Sequence, residues 1–128
     1  MLSSNCSKFI FMITYTEKIT LGPEDINQIF ESDSKPQHLE AILSGSKVLY
    51  TLMLDYEYGK GNLQNITLSP GSLVFTSKNT GTLKVNYDIN EFSVCAALDY
   101  TGAYAMILNF RIDQNTGEIS LTGEDRYE

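Results

Sequence analysis

The sequence predicts an α+β domain in which two short N-terminal helices precede a largely antiparallel meander sheet of about six to eight strands, curved or barrel-like. Three observations predict it. Apolar residues recur at helical spacing between residues 23 and 45; short alternating runs separated by Gly, Pro, Asn and Ser follow from residue 62; and the most apolar stretch, Phe92 to Asp113, alternates with the two-residue period of a strand. With 128 residues, 42% of them hydrophobic and 20% charged, the chain suits one globular domain with a core of its own. We expect that domain over residues 8–122, with residues 1–7 as a flexible leader and 123–128 as a charged, flexible tail.

Taken in order, Phe9 to Thr16 is β-branched and aromatic, which reads as a strand buried on both faces and stopped by Leu21-Gly22-Pro23. Pro23 suits the first position of a helix, Glu24 and Asp25 its first turn, and Ile26, Ile29 and Phe30 its buried stripe. Ser34 with Gln37 three residues on resembles a capping box for a second helix, buried through Leu39, Ile42 and Leu43 and ended by Gly45. Lys47 to Tyr58 carries two patterns. Val48, Leu49, Leu52, Met53 and Tyr56 fit a helix, whereas Val48, Tyr50, Leu52, Leu54, Tyr56 and Tyr58 alternate; the Ser44-Gly45-Ser46 break and the tyrosines favour a strand.

Gly59-Lys60-Gly61-Asn62 then turns the chain into a short strand containing Ile66 and Leu68, and Ser69-Pro70-Gly71 suits a type II turn. Leu73 and Phe75 mark another strand, and Lys78-Asn79-Thr80-Gly81 leads into Leu83, Val85, Tyr87 and Ile89, which alternate with polar residues. Within Phe92 to Asp113, a three-residue loop at Tyr100-Thr101-Gly102 would pair Leu98 with Tyr104, Val94 with Leu108 and Glu91 with Arg111. Its small reverse face, Cys95, Ala97 and Ala105, would accept a helix, and Leu108 would be among the deepest residues. A four-residue loop at Gln114-Asn115-Thr116-Gly117 pairs Ile112 with Ile119 and Phe110 with Leu121.

That last hairpin, with Phe110, Ile112, Asp113, Thr116, Gly117 and Ile119, resembles the F-x-I-D-x-x-T-G-x-I hairpin of cadherin repeats, and the terminal D-x-x-T-G-E resembles the end of PepSY-type and cystatin-like domains. Both resemblances span only the hairpin and carry no function over. Asp113, Asn115 and Glu118 have the residue types of a calcium loop, which are also those a tight turn requires.

The charge of -7 argues against binding to phosphate backbones, so nucleic acid is not an expected partner. No phosphate loop, dinucleotide fingerprint or zinc signature implies a cofactor or metal. No apolar run is long enough to suggest a membrane span or a secretory leader, and two cysteines far apart, Cys6 and Cys95, make a disulfide framework improbable; a cytoplasmic protein is expected. Cys95 reads as a small core residue and His38 as a solvated one.

Asp55, Glu57 and Asp99 are the carboxylates embedded in apolar sequence, and a strand would place Asp55 and Glu57 on one face. Eight tyrosines without tryptophan are the most unusual feature of the composition. We take Tyr50, Tyr56 and Tyr104, with Asp55 and Asp99, as candidate binding residues, and expect at least two of the three hydroxyls to open onto one cavity or one surface patch. The expectation is a small non-enzymatic binding module for a protein or small ligand, with a homodimer as one assembly. The alternatives are an acidic inhibitor or immunity-type protein for a basic partner, and a small cavity enzyme using a carboxylate and a tyrosine.

Overall fold

The computed structural model describes the backbone of residues 12–93 and 98–127 and the side chains of residues 13–91 and 101–126. Two strands, β1 (Met12–Ile13) and β2 (Thr16–Thr20), lead into three helices, α1 (Pro23–Glu31), α2 (Lys35–Ser44) and α3 (Val48–Glu57). Strands β3 (Asn62–Leu68), β4 (Val74–Phe75), β5 (Thr80–Ser93), β6 (Leu98–Asp113), β7 (Glu118–Thr122) and β8 (Arg126–Tyr127) follow. The main sheet is antiparallel, in the order β2-β7-β6-β5-β3 with β4 beside β5, and it curls into a half-barrel; β1 and β8 form a separate two-stranded ladder. The fold is therefore α+β.

Pro23 heads α1 with Glu24 and Asp25 in the first turn, and Ile26 and Ile29 are its buried side. Ser34 precedes α2, but its hydroxyl bonds no helix amide, so the capping box does not form; its carbonyl instead accepts the His38 N–H at 3.0 Å. The segment expected as a strand, Lys47 to Tyr58, is mostly the helix α3. Ser46 explains the start: its Oγ donates to the Leu43 carbonyl at 2.9 Å and accepts the Val48 N–H at 3.4 Å, so the break joins two helices. The helix wins because it buries Val48, Leu49, Leu52, Met53 and Tyr56 together, where a strand of the same residues would divide them between two faces. It packs on both β2 and β3, the two ends of the strand order of the curled sheet.

The central hairpin is larger than expected and differently registered. Tyr100, Thr101 and Gly102 are not a loop: they lie within β6 opposite Glu91, Asn90 and Ile89. The strand ends enclose residues 94–97, where the expectations for Val94, Cys95 and Ala97 lie outside the described residues. Arg111 therefore stands between Thr80 and Ser120, and Glu91 faces Tyr100, so the expected Glu91–Arg111 pair is overturned. The longer ladder aligns the buried alternation of β5 (Leu83, Val85, Tyr87, Ile89) with that of β6 (Met106, Leu108, Phe110, Ile112), a match that a short local hairpin would forgo. Ala105 on the reverse face is exposed rather than covered by a helix, because the helices pack on the opposite, concave face. Leu108 is fully buried there.

The last hairpin has the expected register, Phe110 with Leu121 and Ile112 with Ile119. Asp113 Oδ1 accepts the N–H groups of Asn115 and Thr116 at 2.9 and 3.3 Å, which gives that carboxylate a turn-forming role. Gly117, at φ +78°, meets the Leu21 carbonyl so closely that a Cβ would stand 2.2 Å from its oxygen. At the other end of the sheet, Ser72 N–H donates to the Ser69 carbonyl across Pro70 and Gly71, with Gly71 at φ +78°, which completes the expected type II turn.

Candidate functional site

Two surfaces meet along α3. The first follows from its composition: the helix is apolar nearly all round, yet only one side of it can face the sheet. Tyr50, Leu54 and Tyr58, spaced four residues apart, remain outside at 47%, 37% and 81% exposure. They form one stripe. Beside its Tyr50 end is a groove of about 440 Å³ between the α2–α3 connection and β3, lined by Ser44, Ser46, Tyr50, Leu63, Gln64 and Ile66. The β3 ladder shifts register between Gln64 and Thr67, where Asn65 adopts φ 53° and its Nδ2 donates to Asp88 at 2.8 Å.

The second surface lies at the other end of the helix, where a pocket of about 400 Å³ is lined by Glu57, Lys60, Ile89, Glu91, Tyr104 and Arg126. Glu57, the last residue of α3, is only 4% exposed. Arg126 grips it with both terminal nitrogens, each at 3.1 Å; Lys60 Nζ lies 3.3 Å away, and the Tyr87 hydroxyl donates to Oε2. Arg126 also sits 5.3 Å from the centre of the Tyr56 ring. Burial alone would raise the Glu57 pKa, but the hydrogen bonds from Arg126, then Tyr87, and the Arg126 charge outweigh it and hold the carboxyl below its usual range. Burial first, and then the Glu57 carboxylate, push the Tyr87 hydroxyl up. Glu57 is thus held ionised and Tyr87 protonated, with every carboxylate lone pair engaged.

The expected residues divide between these places. Tyr50 is on the stripe, while Tyr104 is 41% exposed in the second pocket, its ring stacked on Tyr87 at 5.8 Å. Tyr56 is buried: its hydroxyl donates to the Glu124 carbonyl at 2.7 Å and accepts the Tyr15 N–H at 2.9 Å. Neither pocket holds both Tyr50 and Tyr104. Asp55 and Glu57 do not share a face, since the helix buries Glu57 and turns Asp55 towards Glu17 on β2. A hydrogen bond with Asp55, then burial, raises the Glu17 pKa. The side chain of Asp99 lies outside the described residues; its backbone, in β6, pairs with Phe92 of β5.

Leu54, Tyr87 and Arg126 are not among the candidate binding residues expected from the sequence. The Tyr50-Leu54-Tyr58 spacing carried the first, once the segment is helical. Nothing local points to Arg126, in the stretch expected to be a tail. Among the described residues no group of three or more His, Cys, Asp or Glu side chains could hold a metal ion, and no helix is long and apolar enough to cross a membrane. Comparison of the chain with family models, curated proteins and solved structures returns no significant match.

Proposed function

We propose that this protein is a small non-enzymatic binding module that recognises a protein partner through the stripe formed by Tyr50 and Leu54 of α3 with Tyr58 just past its end, and through the groove beside it. The observation that carries the reading is the exposure of three large apolar side chains in one row, two on a helix whose other side is core and the third, Tyr58, at its C-terminal cap. Aromatic side chains on a rigid element contribute much contact area for little lost conformational entropy. Tyr58 adjoins Gly59 and Lys60 of the second pocket, so the row runs from one concavity towards the other.

The carboxylate-and-tyrosine pair of an enzyme finds less support. A general acid or base works best with a pKa near the working pH, and the shifts of Glu57 and Tyr87 both run away from neutrality. The cluster is better suited to fastening Arg126 onto the end of α3. The reading keeps the cytoplasmic setting expected from two widely separated cysteines.

The test is site-specific photocrosslinking in cells, with the reactive side chain at position 54 and, as control, at position 84 on the exposed outer face of the sheet. A discrete adduct from 54 and none from 84, lost on Tyr50→Ser with Tyr58→Ser, is the expected result. Equal, diffuse labelling from both positions would overturn the reading.

A further inference from the structure

We infer that the pocket at the end of α3 is a binding site for a small zwitterion of the α-amino acid class, separate from the protein-binding surface. Five segments of the chain build it. Glu57 closes α3, Lys60 comes from the turn that follows, Glu91 from β5, Tyr104 from β6 and Arg126 from β8. Its volume of about 400 Å³ suits a molecule of that size, since small-ligand sites run from roughly 300 to 1,000 Å³. The walls are set before anything binds. Glu57 and Arg126 hold each other, and the Tyr104 ring is stacked on Tyr87. Gly61 lies so close against β5 that a Cβ there would stand 2.6 Å from the Asn90 carbonyl oxygen and 3.1 Å from Glu91 Cγ, which keeps the Lys60 turn beside the stem of Glu91.

The charges select the ligand. Among the described residues Glu57, Glu91, Lys60 and Arg126 are the charged groups that line the pocket, so it is neutral as a whole. They are not matched one to one. Both cations lie on Glu57, while among the described residues neither an ion pair nor a hydrogen bond engages the Glu91 carboxylate. The pocket therefore keeps an excess positive charge apart from an uncommitted negative one. An ammonium has three N–H donors and that of Lys60 meets only Glu57 among the described residues, so donors remain for a ligand carboxylate. Sharing Lys60 strands nothing, because Arg126 keeps its bonds to both oxygens of Glu57. Glu91 can take an ammonium group, and the half-exposed Tyr104 ring offers a π-face to the same cation. A ligand with one charge would be drawn to one of these groups and repelled by the other; a molecule carrying both signs a few bonds apart satisfies both. A further charge on it would find no counter-charge, whereas Ile89 and Tyr104 offer apolar surface, so the amino acid that fits has an aliphatic or aromatic side chain.

The test titrates the full chain at low salt with each proteinogenic amino acid in turn and follows the backbone amides of Lys60, Glu91 and Tyr104 by NMR. At least one aliphatic or aromatic amino acid should shift these amides saturably at millimolar concentration or below, and added salt should weaken it. Its N-acetyl derivative lacks the ammonium and its carboxamide lacks the carboxylate; each should bind about tenfold more weakly or worse, the loss expected of one charge-assisted contact. Glu91 and Lys60 are exposed, so Glu91→Gln and Lys60→Met should keep the folded amide spectrum. Glu91→Gln should erase the advantage of the free amino acid over the N-acetyl form, and Lys60→Met its advantage over the carboxamide. Lys84→Met, which removes a lysine charge from the outer face of the sheet, should change neither. No amino acid moving these amides, an N-acetyl or carboxamide form binding as well as its parent, or binding indifferent to both Glu91→Gln and Lys60→Met would overturn the proposal.

Discussion

Glu57→Gln keeps the shape of the side chain and removes its charge, leaving Arg126 and Lys60 facing a neutral amide at the end of α3. Glu57 is almost fully buried, Arg126 partly so, and Lys60 half-exposed. Breaking a fully buried pair by removing one partner costs roughly 3–5 kcal/mol; the solvent left to both cations lowers the expected loss to about 2–3 kcal/mol. Urea unfolding should show this as a lower midpoint with an unchanged slope. Changing both partners, Glu57→Leu with Arg126→Met, should cost less than the two single changes together, because neither charge is then stranded. The pH dependence has a definite sign. The folded pKa of Glu57 lies below the ordinary value of 4.5, so its contribution is fully present above that value and is lost as pH falls through the lower folded one. Glu57→Gln should therefore flatten the acid limb of the stability curve. A variant within about 0.5 kcal/mol of the parent, with the same acid limb, would refute the role assigned to this cluster.

Leu108 is fully buried mid-strand on the concave face, and Leu108→Ala should cost roughly 2–5 kcal/mol in denaturant melts. A Cβ at Gly123 would stand 2.4 Å from the Tyr56 ring, so Gly123→Ala must displace that ring and should cost about 1–3 kcal/mol, measured as a lower unfolding midpoint.

Much of the fold is legible locally. Pro23 opens a helix, Gly45 ends one, Pro70-Gly71 turns the chain, and the Asp113 and Gly117 loop fixes its own register, each through chemistry contained in a few neighbouring residues. What the sequence conceals is decided between distant segments. Lys47 to Tyr58 satisfies both periodicities, and only packing against both β2 and β3 makes the helix the better way to bury Leu52 and Met53. Gly102 reads as a turn because glycine is a weak strand former, but a 14-pair ladder between β5 and β6 carries it through. The carboxylates in apolar sequence included Glu57, yet its partners Tyr87 and Arg126 lie 30 and 69 residues away, at separations no local pattern reports. Reading α3 as a strand also placed Tyr56 with the exposed tyrosines, whereas the helix turns it inward and leaves Leu54 outside in its place.

The central claim is that Tyr50, Leu54 and Tyr58 serve recognition rather than the core, and one measurement tests it: adduct yield from a photoreactive side chain at position 54, and the unfolding midpoint, read on the same Tyr50→Ser, Tyr58→Ser variant. Exposed substitutions of this kind change stability by about 0.5 kcal/mol or less, so the account predicts that the adduct disappears while the midpoint stays where it was. An adduct that survives both substitutions, or one that disappears only in step with a falling midpoint, would contradict it.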